Sequence, residues 1–146
     1  PGPGPSLPAA ERDRGWRDAR SATGAPVPPV VRGDWTSASG FAAASTLLDA
    51  GATAVFAAND QMALGVLRAV AESGRAVPGD VSVVGFDDVA DAADYRPPLT
   101  TVRQDFDALG ARAVAALVDG IEVGTPAAFE TVPTRLVVRE STAPAR

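Results

Sequence analysis

The sequence predicts an α/β protein in which a parallel sheet is flanked by helices. Short apolar runs of strand length alternate with segments of helical periodicity, and this alternation is typical of parallel sheets. With 46% hydrophobic and 21% charged residues, the chain has the composition of a folded protein with a real core. Its 146 residues fit one ordinary domain.

The first part of the chain predicts a linker, a helix and a short strand. Residues 1–8 are mostly Pro and Gly, which suit neither a helix nor a central strand. Residues 9–22 predict a helix with Trp16 and Ala19 on its inner face. After a turn rich in proline, residues 30–32 predict a short strand.

Two helices on either side of a strand follow. Residues 37–48 carry apolar side chains at helical spacing, and the apolar run 54–58 suits a buried parallel strand. Residues 60–73 predict a second helix, which Gly74 ends. The side chains expected to point inward from this second helix are Met62, Leu64, Val66, Leu67 and Val70.

The last part of the chain predicts three strands and a helix. Residues 81–86 form one strand candidate, and residues 99–102 form another after a Pro-Pro pair that no helix could cross. Residues 106–118 predict a helix with one apolar face, and residues 135–139 predict the final strand. The apolar face of that helix comprises Phe106, Leu109, Ala113, Val114 and Leu117.

Polar side chains follow each predicted strand at the point where the strand ends. In open parallel sheets, ligands bind beyond the carboxyl ends of the strands, so these side chains are expected to meet at one edge. Carboxylate, carboxamide and guanidinium groups beside an aromatic ring suit the hydroxyls and the apolar face of a sugar. The segments are Gly33-Asp34-Trp35, Asn59-Asp60, Asp87-Asp88 and Arg103-Gln104-Asp105.

Each of these residues also has a purely structural interpretation. Asn59 and Asp60 are expected to cap the following helix, Asp60 in particular, and Asp87 with Asp88 suits an N-cap pair. Trp35 suits local packing, and an arginine on a helix of mixed charge, such as Arg12, usually lies on a solvated face. Taken singly, each residue favours the structural interpretation. Their shared position at one sheet edge favours a ligand site.

The composition disfavours several other functions. The net charge of −5 argues against nucleic-acid binding by this chain itself. The chain has neither His nor Cys, so it lacks the commonest general base, the commonest zinc ligand and any thiolate. It has no apolar run of membrane-spanning length and no glycine-rich phosphate loop. We therefore expect no enzyme activity, no metal, no cofactor and no membrane partner.

Several stretches, in the same order, resemble the effector-binding core of the LacI/GalR family of transcriptional regulators. They are residues 11–16, 58–65, 78–88, 97–105 and 136–142, which together extend over nearly the whole chain after residue 8. Gly33-Asp34-Trp35 and the Asn59-Asp60-Gln61-Met62 run are most similar to the lactose-repressor-like branch of the family.

The resemblance implies a core of the periplasmic-binding-protein-like type I fold, in which a small effector binds between two lobes. It implies that residues 9–104 form the C-terminal lobe, that residues 105–134 belong to the N-terminal lobe, and that residues 135–146 form the terminal strand and tail after the linker 1–8. It implies ligand-binding roles for Arg12, Trp35, Asn59, Asp87, Gln104 and Phe106. It also implies a dimer interface with Leu64, Arg68 and Tyr95.

The function that follows is the effector-binding and dimerisation part of a cytoplasmic regulator that responds to a mono- or disaccharide. The resemblance implies a homodimer that contacts operator DNA only through an N-terminal helix-turn-helix domain. That domain and most of the N-terminal lobe are expected to lie outside this chain. The alternative is a periplasmic-type sugar-binding protein of a transport system, which shares the two-lobed architecture.

Overall fold

The computed structural model describes residues 2, 6–28, 30–124 and 131–144, and these residues alternate between helices and short strands. A 3-10 helix, Ala90–Asp94, separates the second and third strands. The other elements in chain order are α1 Leu7–Ala22, α2 Ser37–Asp49, β1 Ala54–Phe56, α3 Asp60–Glu72, β2 Ser82–Val84, β3 Thr101–Arg103, α4 Phe106–Val123 and β4 Arg135–Val137.

The strands are connected as a parallel arrangement with one antiparallel addition. β1 and β2 are parallel, with Val55 opposite Val83. Parallel bridges join Val84 to Thr100 and Asp87 to Arg103, which places β3 beside the end of β2. The parallel sheet expected from the alternation is therefore present. β4 differs, because it runs antiparallel to β3 as the chain returns from α4.

The helices α2 and α3 pack with their backbones in close contact because each carries a glycine at the crossing. A Cβ atom at Gly40 would collide with the backbone of Met62, and one at Gly65 would collide with the backbone of Ser37. Both helices begin at a side-chain cap, Thr36 for α2 and Asn59 for α3. These caps fix the start of each helix next to the polar segment that precedes it.

The core lies between these two helices, β1 and β2. The inward face of α3 agrees with the prediction except at Leu64, which is 42% exposed. The prediction for Leu64 is wrong because this residue lies on the side of α3 that carries the exposed residues Arg68 and Ala71. The buried cluster comprises Ala44, Leu48, Val55, Ala57, Met62, Ala63, Val66, Leu67, Ala69, Val70, Val81, Val83, Ala92 and Leu99.

The first helix starts two residues earlier than predicted and ends at the predicted residue, Ala22. It begins at Leu7 rather than at residue 9, because Pro8 lies in the first turn, where a missing N–H group leaves no hydrogen bond unmade. Ala9 is the buried residue of this helix, whereas Trp16 is only partly buried and Ala19 is exposed. The inner face is therefore at the start of α1, and the end of the helix projects toward solvent.

Residues 30–32 do not form the predicted strand. A strand needs a partner for its backbone hydrogen bonds, and no strand of the described residues pairs with this segment. The segment is instead connected to α1 by an ion pair between Arg32 and Asp13, with 3.8 Å between Nη2 and Oδ2.

The segment after β4 completes the sheet by hydrogen bonding between β2 and the residues before β3. Val83 donates its N–H to the carbonyl oxygen of Ser141 at 2.8 Å. The Ser141 hydroxyl donates to the carbonyl of Val83 at 2.6 Å and accepts from the N–H of Thr100 at 2.8 Å. Ser141 is fully buried, so the chain around it is part of the packed interior.

The apolar face of α4 is uncovered. The helix runs five residues beyond the predicted end at residue 118, to Val123, and none of residues 106–122 is buried. Phe106, Leu109, Val114 and Leu117 are each at least 44% exposed. Within the described part of the chain, no helix combines the length and apolarity needed to cross a membrane.

We expect the 146-residue chain to self-associate through this face, because burying apolar area contributes about 25 cal/mol per Å2. Leu117→Glu is expected to lower the mean sedimentation coefficient at high protein concentration. Ala115→Glu, on the opposite side of the helix, is the matched control and is expected to leave association unchanged. A strictly monomeric, well-folded wild-type chain would contradict the prediction.

Candidate ligand-binding site

Three of the polar residues expected at the sheet edge follow strands that end at that edge, and Arg12 of α1 contacts one of them. Asn59 follows β1, Asp87 follows β2 and Gln104 follows β3, so the strand order places all three at the same edge. Arg12 extends from α1 over this edge and contacts Asp87. The arrangement agrees with the predicted position, while the role of each residue as a sugar ligand stays a prediction.

Arg12 is held between two aromatic rings and a carboxylate. Its guanidinium carbon lies 3.9 Å from the centre of the Phe86 ring and 5.6 Å from that of Trp35. Its Nη2 lies 3.6 Å from Oδ1 of Asp87. Burial lowers the pKa of Arg12, and the charge of Asp87 opposes that shift. The cation is therefore placed before any ligand arrives, and the solvated-face interpretation is wrong.

Phe86 is the residue at this site that sequence reasoning did not single out. It directly precedes Asp87 and ends the predicted strand 81–86. A cation over the face of an aromatic ring is attracted by the ring quadrupole. An aromatic residue next to a candidate carboxylate at a strand end is the signal that could have indicated it.

Asp87 accepts one direct hydrogen bond and faces one cation. Gln104 donates through Nε2 to Oδ1 of Asp87 at 2.7 Å. Burial raises the pKa of Asp87, while Arg12 and the Gln104 hydrogen bond lower it and the charge of Asp60 raises it further. The net pKa lies above the ordinary value. This carboxylate is thus partly desolvated and only partly neutralised, which suits a group that accepts hydrogen bonds from hydroxyls.

Asp88 points away from Asp87 and does not belong to the same cluster. Its carboxylate accepts hydrogen bonds from Arg103 and Arg139. The N-cap interpretation of the two aspartates is wrong, because Val89 precedes the 3-10 helix and no side chain caps that helix. The two carboxylates are separated because both backbones have positive φ, 116° at Asp87 and 57° at Asp88.

Asn59 combines capping with a contact to Trp35. Its Oδ1 accepts from the N–H of Met62, and its Nδ2 donates to the carbonyl of Trp35 and to Oε1 of Gln61, both at 3.0 Å. Both amide hydrogens are therefore engaged. A ligand that bonds to this amide nitrogen must replace the contact with Gln61, whose side chain is exposed.

Trp35 is held in an unusual backbone conformation by its neighbours. Its φ is 75°, a value that L residues with large side chains rarely adopt. Hydrogen bonds from the hydroxyl and the N–H of Thr36, with a further bond to Ser39, lower the pKa of the preceding Asp34 to about 2. The ring lies against Gly2, where a Cβ atom would collide with the indole. Trp35 therefore takes part in local packing and also lies near Arg12.

Asp60 is a fully buried structural carboxylate rather than a helix cap. It accepts from the Thr101 hydroxyl at 2.6 Å and from the N–H of Val89 at 2.9 Å. A Cβ atom at Gly85 would collide with it. Burial raises the pKa of Asp60, while these hydrogen bonds lower it. The expectation that Asp60 caps α3 is wrong because Asn59 occupies the N-cap position.

Phe106 lies apart from the tightest contacts of the cluster. It is the first residue of α4, two positions after Gln104, and 55% of it is exposed. In the described residues, no group of three or more acidic side chains comes together in a way that could hold a metal ion. The arrangement offers hydrogen-bond acceptors, donors and aromatic faces, which suits a neutral ligand rich in hydroxyl groups.

Comparison with known proteins identifies the domain family of this chain. The family model of the periplasmic binding protein-like domain matches residues 2–142. The chain is 44% identical over 145 residues to the lactose operon repressor of Klebsiella pneumoniae, covering 98% of this chain and 41% of that repressor. It is 42% identical over 145 residues to the transcriptional regulator CelR of Thermobifida fusca, covering 96% and 43%. The chain thus spans about two fifths of these relatives.

Two solved structures share the fold. The complex of the transcriptional regulator CelR with cellobiose superposes with a TM-score of 0.89 at 42% identity, covering 96% of this chain and 44% of that chain. The dimeric Lac repressor with an 11-residue C-terminal deletion gives a TM-score of 0.86 at 40% identity, covering 97% and 53%. The predicted periplasmic-binding-protein-like fold is confirmed.

We expect Arg12→Gln to raise the pKa of Asp87 further, because the substitution removes the charge that opposes the effect of burial. Carbon-13 NMR of the aspartate carboxyls during a pH titration measures this pKa. A folded-state pKa above the unfolded value favours folding when the group is protonated, and that contribution is lost as the pH rises through the folded pKa. Arg14→Gln, on an exposed part of α1, is the control; an equal or lower Asp87 pKa in Arg12→Gln would contradict the assignment.

Proposed function

The chain belongs to the periplasmic binding protein-like domain family, and on that premise we propose that it is the effector-binding and dimerisation part of a sugar-responsive transcriptional regulator of the LacI/GalR type. The observation that carries the proposal is the cluster of Arg12, Asp87 and Gln104 at the carboxyl ends of the strands, with Phe86 under the guanidinium.

The cluster suits a sugar for reasons of charge and shape. Asp87 accepts hydrogen bonds from two hydroxyls of one ring, and Arg12 and Asn59 donate to hydroxyl oxygens. Trp35 supplies an apolar surface for the face of the ring, and Gln104 and Phe106 approach from the segment that leads into α4. Because each polar group already has a partner in the chain, the sugar replaces those contacts with its own hydroxyls.

The proposed mechanism is a population shift between two arrangements of the lobes. Residues 9–104 form one lobe in this proposal, and residues 105–134 belong to the other, with residues 135–146 as the terminal strand and tail. The uncovered apolar face of α4 supports this division, because a helix of this kind needs a packing partner. An effector that binds one arrangement more tightly shifts the equilibrium toward it and so changes the affinity for operator DNA.

The relatives support a sugar effector and a DNA partner. CelR is described in complex with cellobiose, and the lac repressor dimer is described bound to operator and an anti-inducer. We propose a mono- or disaccharide as the effector here. Operator binding would use an N-terminal helix-turn-helix domain of the same regulator, in the cytoplasm, without enzymatic activity. The transport alternative is disfavoured because the matching relatives are transcriptional regulators.

We also propose that the regulator dimerises through the outer face of α3. Leu64 is 42% exposed, and the guanidinium of Arg68, one turn further on, lies 4.9 Å from the Phe41 ring. Arg68 also pairs with Glu72. Tyr95 follows the 3-10 helix and is partly buried against the core cluster. Burial first, and then the charge of Asp60, raises the pKa of Tyr95.

The effector class is tested by thermal unfolding of the regulator against mono- and disaccharides that include cellobiose. A ligand that binds only the native state raises the unfolding temperature by mass action. Asp87→Asn, which tolerates the positive φ, is expected to weaken binding at least about tenfold, since a hydrogen bond to a charged group is worth about 1.5–3 kcal/mol. Asp80→Asn, at the other end of β2, is the matched control.

Two outcomes of this experiment would count against the proposal. No shift with any sugar contradicts a sugar effector. An unchanged affinity in Asp87→Asn contradicts the assignment of the site while leaving the effector class intact.

The dimer interface is tested by sedimentation equilibrium of the regulator. Leu64→Glu is expected to shift the equilibrium toward the monomer by placing a charge in a desolvated contact. Ser21→Glu, on exposed α1, is expected to leave the dimer unchanged. A Leu64→Glu protein that stays as dimeric as wild type would place the interface elsewhere.

A further inference from the structure

The carboxylate of Asp88, which follows β2, connects the segment after β2 to the end of β3 and to the segment after β4. Arg103, at the end of β3, donates to Oδ2, and Arg139, two residues after β4, donates to Oδ1 at 2.7 Å. Arg139 also donates to the carbonyl of Leu99 at 2.7 Å. The Asp88 side chain is 1% exposed. Burial would raise its pKa, but the hydrogen bonds and charges of Arg139 and Arg103 outweigh burial, and the net pKa is lowered.

The backbone at Asp87 and Asp88 needs such an anchor. Two consecutive residues with side chains adopt positive φ, at 116° and 57°, and this conformation is disfavoured unless the surroundings over-determine it. In this turn the Asp87 side chain contacts Arg12 and Gln104. The Asp88 side chain contacts Arg103 and Arg139 instead. The next residue is held as well, because Val89 donates its N–H to Asp60 at 2.9 Å.

We propose that Asp88 is a positioning residue for effector binding: its ion pairs with Arg103 and Arg139 hold the turn that aims Asp87 at Arg12 and Gln104. The carboxylate does not touch the effector. The role rests on the proposed function for its ligand. Because Arg103 ends β3 and Arg139 follows β4 by two residues, the same contacts connect the position of Asp87 to the two strands that flank α4.

The first test needs no ligand. The chain has glutamine only at positions 61 and 104, so nitrogen-15 labelling of glutamine gives two side-chain amide signals, which Gln61→Glu assigns. In wild type, Gln104 donates to a carboxylate. In Asp88→Asn, which keeps the shape and tolerates positive φ, the Gln104 signal is expected to move to the position of a free carboxamide while the Gln61 signal stays. A Gln104 signal that does not move overturns the proposal.

A second pair of variants keeps the test decisive if Asp88→Asn fails to fold. Arg103 is 44% exposed in its side chain, so its replacement is tolerated more easily. Arg103→Met removes one of the two ion pairs, and Arg103→Lys keeps the charge at the same place. Arg103→Met is expected to move the Gln104 signal, and Arg103→Lys is expected to restore most of the wild-type position. Equal signals in these two variants overturn the proposal.

The second test measures cellobiose affinity by calorimetry in the regulator, or the affinity of the disaccharide with the largest thermal shift. Asp88→Asn is expected to weaken binding about tenfold at temperatures where the variant is fully folded. Glu11→Gln, which loses an ion pair with exposed Arg14 on α1, is the matched control and is expected to bind as wild type.

The outcomes separate this inference from the proposed function. Unchanged affinity in folded Asp88→Asn overturns the positioning role. Absence of sugar binding by the wild type overturns the proposed function alone, because the Gln104 signal still decides the role of Asp88. A lower unfolding temperature without a change in either readout means that Asp88 contributes only to stability, and it overturns the proposal.

Discussion

The geometry of the candidate site depends on one buried carboxylate, that of Asp60. It lies at the start of α3, accepts from Thr101 in β3 and from Val89 after β2, and occupies the space that a side chain at Gly85 would fill. A buried carboxylate is costly unless its oxygens are hydrogen-bonded, so the three elements that supply these contacts are held in one relative position. The hydrogen bonds that the Asp60 carboxylate accepts therefore hold together the strand ends that carry the site.

The site itself is a set of groups that are paired before a ligand binds. Arg12 rests on Phe86, and Asp87 accepts from Gln104. Asn59 is already fixed by its contacts with Trp35 and Met62. Groups ordered in this way lose little conformational freedom on binding, which favours affinity by preorganisation. The cost is that a ligand must exchange hydrogen bonds rather than simply add them, which favours ligands with closely spaced hydroxyls.

The sequence predicted the elements that have a strong local pattern. Its predictions were wrong where the structure of a segment depends on a partner that is distant in the sequence. The periodicity of α2 and α3 indicated two helices correctly. The apolar run before Asn59 indicated a parallel strand correctly, but β1 ends at Phe56 and only Val55 of its three residues is buried. Residues 30–32 have the composition of a strand, but a strand also needs a neighbour.

The same distinction holds within the site. The clustering of polar strand ends followed from the parallel topology, so it was predictable from the alternation alone. The functions of single side chains were not. Which of Asn59 and Asp60 caps α3 depends on Thr101, which is 41 residues away from Asp60. The separate directions of Asp87 and Asp88 depend on Arg139, which lies 51 residues after Asp88. A local motif contains no information about such partners.

The burial of Ser141 also has a consequence for how the chain is made. Its hydrogen bonds reach back 58 residues to Val83, and Ala143 reaches back 61 residues to Ser82. Contacts of such long sequence separation form late, because the entropy of closing the intervening loop is lost before the contact stabilises anything. During synthesis on the ribosome, β2 and the segment around Thr100 therefore emerge with unpaired backbone groups. We expect this interval to be the period in which the nascent chain most needs protection from aggregation and proteolysis.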